Sequence, residues 1–132
     1  ANSKFNYKAY EDIDEALKDA TFVVMSILPG TFDEMDSDVH APEKYGIYQS
    51  VGDSTGPGGV LRAMRTVPIY EDFARHIKKS CPNAWVLNLT NPMTILVKTL
   101  YDVFPEIKAF GCCHEVFHAQ DFLTLCLNLK EF

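Results

Sequence analysis

The stretch Ala84-Trp85-Val86-Leu87-Asn88-Leu89-Thr90-Asn91-Pro92-Met93-Thr94-Ile95-Leu96 decides the fold. Residues 85–89 form a short apolar run that reads as a buried strand, and a helix follows from Pro92 to about Val103. Pro92 suits the first helical turn, because its missing N–H would be unpaired there anyway. Downstream the plan repeats. Residues 107–110 read as a second strand, and Gly111-Cys112-Cys113-His114-Glu115 opens an amphipathic helix that runs through Leu127. Upstream, Phe22-Val23-Val24-Met25-Ser26-Ile27 is a continuous apolar run of the kind found in strands buried on both faces. Strand and helix alternate, which predicts an α/β chain: a parallel sheet with helices on its faces. Three parallel strands have no ready way to cover both sheet edges, so the natural completion is more strands upstream.

The remaining segments fit around this frame. Residues 11–20 are acidic and alanine-rich and predict a short helix with Ile13, Ala16 and Leu17 inward. Pro29-Gly30 ends the first strand. Thr31 or Asp33 caps a polar helix running towards Tyr45, with an interruption at Pro42. Residues 46–59 read as a loop. The helix after it, residues 60–79, carries Val60, Met64 and Val67, then Ile69, Phe73 and Ile77, with a kink at Pro68.

Composition narrows the function classes. The chain has 132 residues, 47% hydrophobic and 23% charged, enough for one domain or part of one. Net charge is −6, from 12 basic and 18 acidic residues, and no Lys/Arg cluster stands out. A nucleic-acid or anionic-membrane partner is therefore not expected. No apolar run is long enough to span a bilayer, and Ala1-Asn2-Ser3-Lys4 lacks the order of a signal peptide. Cys81, Cys112, Cys113 and Cys126 have no disulfide-framework spacing, which points to reduced thiols in the cytoplasm.

Three segments carry chemistry. In an open α/β sheet, ligands bind beyond the carboxyl ends of the strands. Asn91-Pro92 stands at one such end, where Pro keeps the preceding residue extended and lets the Asn91 amide reach over the rim; a plain turn is the competing reading. Cys112-Cys113-His114, with His118 one helical turn on, offers a thiolate and imidazoles to a divalent metal. The competing reading makes one cysteine a small core residue and the histidines surface caps. Adjacent cysteines face different ways, so one is expected in the core and one at the rim. The glycine-rich run Gln49-Ser50-Val51-Gly52-Asp53-Ser54-Thr55-Gly56-Pro57-Gly58-Gly59 suits an anionic or polyol ligand. It matches neither a P-loop nor a dinucleotide fingerprint, and a flexible loop is the better reading of it alone. The carboxylates Asp33, Glu34, Asp36 and Asp38 read as a solvated helix face.

Taken together, five motifs resemble glycoside hydrolase family 4: Ser26-Ile27-Leu28-Pro29-Gly30; Lys44-Tyr45-Gly46-Ile47-Tyr48-Gln49-Ser50-Val51-Gly52-Asp53; Gly56-Pro57-Gly58-Gly59; Leu87-Asn88-Leu89-Thr90-Asn91-Pro92-Met93; and Gly111-Cys112-Cys113-His114-Glu115. The α-galacturonidase branch is the nearest match, from about Tyr7 onward. The resemblance implies a Rossmann-type domain that uses NAD and a divalent metal, usually Mn²⁺. These NAD-dependent enzymes stand outside the two-carboxylate scheme of glycoside hydrolysis. The implied reaction is hydride removal at sugar C3, C2 deprotonation assisted by the metal as a Lewis acid, elimination at C1, water addition and hydride return. By position, Cys113 becomes the metal ligand, and Ser26, Ile27, Pro29, Gly30, Asn88 and Asn91 become cofactor contacts. Asn91 and His114 become substrate contacts, with His114 as the proton-transferring catalytic group where some relatives carry an Asp.

Three departures from the family pattern bear on this reading. The glycine-rich phosphate fingerprint is missing upstream, and the second metal histidine and the tyrosine base lie beyond Phe132. Glu34-Met35-Asp36 stands where phospho-sugar relatives carry an Arg, which favours a uronide over a 6-phosphate. The expectation is thus a C-terminal part of an NAD-binding domain, with its glycine-rich N-terminal part and the C-terminal catalytic domain absent. The parent enzyme would be a cytoplasmic homo-oligomer acting on carbohydrate. A lactate/malate-type 2-hydroxyacid dehydrogenase and a non-catalytic nucleotide-binding fragment are the alternatives.

Overall fold

The computed structural model describes residues 4–128; Ala1, Asn2 and Ser3, read above against a signal peptide, lie outside them. In chain order the elements are α1 (Ile13–Leu17), β1 (Phe22–Met25), α2 (Phe32–His40), a 3-10 turn (Ala41–Tyr45), α3 (Gly56–Ser80), β2 (Trp85–Asn88), α4 (Met93–Val103), β3 (Lys108–Gly111) and α5 (Glu115–Leu127). The strands form one parallel sheet in the order β1-β2-β3. Met25 pairs with Asn88 and Asn88 with Gly111, so the three carboxyl ends lie level on one rim. The expected Rossmann-type arrangement of parallel strands and helices is what the chain adopts.

One face of the sheet makes the core. Met25, Val86 and Ala109 point into a cluster with Leu17 of α1, Tyr70, Ala74 and Ile77 of α3, and Leu96 and Leu100 of α4. The alternate positions Phe22, Val24, Trp85 and Phe110 are exposed, with the Trp85 and Phe110 rings 6.2 Å apart edge to face. The reading of residues 22–27 as doubly buried is therefore corrected. Among the described residues, the packed helices all join the cluster on one side, so every second residue of β1 stays in water.

Helix boundaries follow local chemistry. Asp12 caps α1 by accepting the Glu15 N–H at 2.8 Å. Lys18 leaves the helix and Asp19 turns left-handed at φ +59°, so α1 ends before residue 20. Ala16, expected inward, is exposed; Ile13 and Leu17 alone face the core. At α2 the cap is Thr31 rather than Asp33, in a capping box where the Glu34 carboxylate accepts the Thr31 N–H at 2.6 Å. The Thr31 hydroxyl, and then the Thr31 N–H, donate to the Glu34 carboxyl and hold it below its usual range. The helix gives way near Pro42 as expected, and Gly46 at φ +78° ends the 3-10 turn.

The largest departure is α3. It starts at Gly56, with Pro57 in its first turn, and runs unbroken through Pro68 for 25 residues. The segment expected as loop therefore ends four residues earlier. Its inward stripe is also shifted. Ala63, Thr66, Tyr70, Ala74 and Ile77 are buried, whereas Val60 and Met64, expected inward, are exposed. Thr66 enters because its hydroxyl donates back to the Arg62 carbonyl at 2.7 Å. The amphipathic reading of α5 is corrected too, since none of its residues is buried. No helix of the described residues is long and apolar enough to cross a membrane.

Candidate active site at the carboxyl rim

Beyond their last paired residues the strands are stitched together. The Leu89 N–H donates to the Met25 carbonyl and the Cys112 N–H to the Asn88 carbonyl, each at 2.9 Å. Below the rim, the Asn88 Oδ1 accepts the Tyr70 hydroxyl at 2.5 Å and the Thr90 N–H at 3.0 Å. Its Nδ2 donates to the Thr90 carbonyl at 2.9 Å. The Thr90 Oγ1 accepts the Ile27 N–H at 2.9 Å and donates to the Met25 carbonyl at 3.5 Å. Tyr70 and Asn88 are wholly buried, and burial raises the Tyr70 pKa, so the phenol stays a proton donor.

The expected site residues divide into three groups. Ser26 and Gly30 are exposed and Ile27 and Pro29 half-buried, along an extended run leaving β1. Gly30 has φ +91°, which favours glycine whatever the space. This run can present backbone groups to a dinucleotide. Asn88 cannot do so through its side chain, because every polar atom of its amide is used inside.

Asn91 is half-buried at the rim, and its peptide bond to Pro92 is cis. Its Oδ1 accepts the Met93 N–H at 3.3 Å, in the first turn of α4, and the Ser54 hydroxyl at 3.4 Å. The amide nitrogen has no hydrogen bond among the described residues, so it remains a donor for a ligand. Met93 also explains Gly111: a Cβ there would meet the Met93 Cγ and Sδ at 2.5 Å.

Cys112, Cys113 and His114 line a cleft of about 360 Å³ with Leu89, Gly111, Val116 and Phe117. Both cysteines are exposed, correcting the expectation of one in the core. The strand has ended at Gly111, so alternation no longer turns either thiol into the core. The His114 and His118 rings lie 5.7 Å apart, nearly perpendicular. Cys113 fits one metal-ligand position on the rim. Among the described residues, however, no three His, Cys, Asp or Glu side chains gather as a metal site, so further ligands would have to come from elsewhere.

The glycine-rich segment is packed rather than open. The Gln49 Nε2 donates to the Asp38 carbonyl at 2.8 Å, and its amide fills the space a Cβ at Gly52 or Gly58 would take, at 2.9 and 2.8 Å. Asp53 pairs with buried Arg62, and Asp38 with Arg65. Asp38 is thus buried and paired, not part of a solvated acidic face. Sequence reasoning missed Arg62, Arg65, Tyr70 and Thr90. Arg62, Thr66 and Tyr70 recur every four residues, a polar stripe within the α3 pattern that marks the buried side.

A family model described as family 4 glycosyl hydrolase matches residues 1–129. The chain belongs to glycosyl hydrolase family 4. Among family 4 relatives, the α-galacturonidase of Thermoanaerobacterium saccharolyticum is 66% identical over 125 residues, 95% of this chain and 27% of that protein. The crystal structure of lplD from Bacillus subtilis, described as a glucosidase, superposes with a TM-score of 0.87 at 51% identity, over 96% of this chain and 30% of that one. The 6-phospho-β-glucosidase of Thermotoga maritima, solved with manganese, NAD⁺ and glucose-6-phosphate, gives 0.78 at 25% identity, over 92% and 29%. A lactate dehydrogenase of Eimeria maxima, at 19% identity and 0.51, shares the fold alone. The chain thus spans about 27% of the length of the curated relative it matches.

Proposed function

We propose that these residues form the strand-end part of the active site of a family 4 enzyme that hydrolyses α-galacturonides. The carrying observation is that Asn91, Cys113 and His114 stand at adjacent carboxyl ends of one parallel sheet, in a chain so similar to an α-galacturonidase. The 27% coverage supports reading the chain as part of a Rossmann-like NAD-binding domain within a longer protein, whose other parts carry the phosphate-binding glycines and a catalytic domain.

NAD and manganese, present in the Thermotoga maritima relative, supply a reversible hydride acceptor and a Lewis acid when bound. Ser26, Ile27, Pro29 and Gly30 would meet the dinucleotide through their backbone, and the Cys113 thiolate would hold one metal position. The Asn91 Nδ2 donates to a sugar hydroxyl and fixes the ring against the rim. His114, exposed at the mouth of the cleft, gives a proton from its imidazole to the leaving oxygen at C1. Asp36 in place of a cation disfavours a 6-phosphate. The exposed thiols Cys112, Cys113 and Cys126 support a cytoplasmic setting; the exposed apolar residues of α5, among them Phe117 and Phe122, need a cover, which the rest of the longer protein or a second copy in a homo-oligomer would supply.

Galacturonic acid release by the full-length enzyme should require both NAD⁺ and Mn²⁺, and deuterium at substrate C2 should exchange with solvent during turnover. Net NADH formation without sugar release would instead mark a 2-hydroxyacid dehydrogenase. Full activity after complete removal of NAD⁺ would refute the mechanism, and strong preference for a 6-phosphorylated glycoside would refute the substrate.

A further inference from the structure

The rim has three working segments, residues 26–30, Asn91 and Cys113-His114, and each begins where sheet pairing stops. The last ladder positions are Met25, Asn88 and Gly111, so the ladder does not fix what lies beyond them. What holds the segments together is the set of bonds around Asn88 and Thr90, side-chain bonds together with the backbone bonds of Leu89 to Met25 and Cys112 to Asn88. Thr90 fastens Ile27 of the cofactor run. Asn88 fastens Thr90, the residue before Asn91. The Asn88 carbonyl fastens Cys112, the residue before Cys113. Beneath all of them the Tyr70 hydroxyl, in the middle of α3, fixes the Asn88 amide.

We propose that Tyr70, Asn88 and Thr90 are positioning residues, a buried knot that sets the cofactor run, the substrate amide and the Cys113 thiol in one fixed relation. The inference rests on the functional reading above. Two observations separate positioning from ordinary core packing. The Tyr70 ring packs among Ala74, Ile77, Leu96 and Leu100 in the core cluster, where a Phe ring would fill the same space. Its hydroxyl adds the bond to Asn88 and lies close enough to the Thr90 side chain to bond it as well, both members of the knot. Likewise the Thr90 Oγ1 accepts from one strand end and donates to the same one, so its oxygen joins β2 to β1 beyond the ladder. No member of the knot need touch substrate. Their effect would reach the reaction through Ile27, Asn91 and Cys113.

The test uses the full-length enzyme and the variants Tyr70→Phe, Thr90→Val and Thr90→Ser. All are assayed below the onset of unfolding, with 4-nitrophenyl α-galacturonide and saturating NAD⁺ and Mn²⁺. Sub-ångström misplacement of reacting groups costs turnover more than binding, so kcat should fall roughly tenfold or more in Tyr70→Phe and Thr90→Val, with KM within about threefold. Thr90→Ser, which keeps the oxygen, should recover most of the rate. Hydrogen exchange at the Cys112 amide should quicken in Tyr70→Phe, although Tyr70 makes no bond to Cys112. A folded Tyr70→Phe enzyme with unchanged kcat and unchanged Cys112 exchange would overturn the inference, as would a Thr90→Ser enzyme as slow as Thr90→Val. If the unaltered enzyme hydrolyses no galacturonide, the functional reading fails instead. Cys112 exchange, which needs no substrate, then decides the knot by itself: faster exchange sustains it and unchanged exchange overturns it.

Discussion

Replacing Asn88 by Leu should cost a large share of the stability of this fold, and the loss should be partly repaired by a second change that removes another polar atom. Asn88 is fully buried and receives two donors, the Tyr70 hydroxyl and the Thr90 N–H. In Asn88→Leu both donors, and the Thr90 carbonyl that accepted the Asn88 Nδ2, lose this partner in the core. Each orphaned buried group costs about 1–3 kcal/mol, partly offset by the added apolar burial, so the expected net loss is about 2–4 kcal/mol. Tyr70→Phe alone should cost about 1 kcal/mol, because Asn88 still receives Thr90. In the Asn88→Leu background the same Tyr70→Phe change deletes an orphan and should instead stabilise, by about 1–2 kcal/mol. The coupling between the two sites is then about 2–3 kcal/mol, well beyond the scatter expected of independent sites. Urea denaturation of the four proteins, at constant m, measures it. A coupling within about 0.5 kcal/mol of zero would refute the reasoning, since it would mean that the Tyr70 hydroxyl finds another partner or water.

Three other outcomes follow from the same geometry. The Asp14 carboxyl lies well below the usual range because Lys79, at 2.5 Å, then His76 and Ser80 donate to it. A depressed carboxyl contributes stability above its unfolded pKa and loses it as pH falls through the folded one, so Asp14→Asn should flatten the acid limb of a melting-temperature profile. In the full-length enzyme, Cys113→Ser should abolish turnover and weaken bound Mn²⁺ while Cys112→Ser is mild; equal loss of metal in both would contradict the assignment. Gln49→Ala should empty the space that Gly52 and Gly58 leave and loosen their segment, seen as faster proteolysis and amide exchange near residues 50–58 with little change in the core; unchanged protection there would show that the glycines serve something other than Gln49.

The three strands, their direction and the rim were legible because apolar runs and turn residues are local signals, and the rules for parallel connections are strict. The stripe of α3 was not. Val60 and Met64 look like core residues, but the inward face is chosen by what sits opposite: the buried Asn88 selects Tyr70, and Asp53 and Asp38 select Arg62 and Arg65. Partners that come from other elements put polar residues on the inward face, so the stripe Arg62, Thr66, Tyr70 is present in the period but an apolar count passes over it. Of the candidate site, the placement of Asn91, Cys113 and His114 beyond the strand ends was legible from the turn residues that follow each strand. What sequence could not give was the commitment of Asn88, whose amide looks available until its donors and acceptors are counted. The exposure of Cys112 was missed because alternation applies within a strand, and β3 ends before it.

The open sheet face has an optical consequence. Trp85 is the only tryptophan of the chain, and it lies on that face, 47% exposed and edge-on to Phe110. Its emission therefore has no competing indole and senses water on one side only. Whatever comes to lie over Phe22, Val24, Trp85 and Phe110 would expel that water and move the emission to shorter wavelength, without a label and without touching the rim where Asn91 and Cys113 stand. A single fluorescence spectrum thus separates events on the face from events at the strand ends.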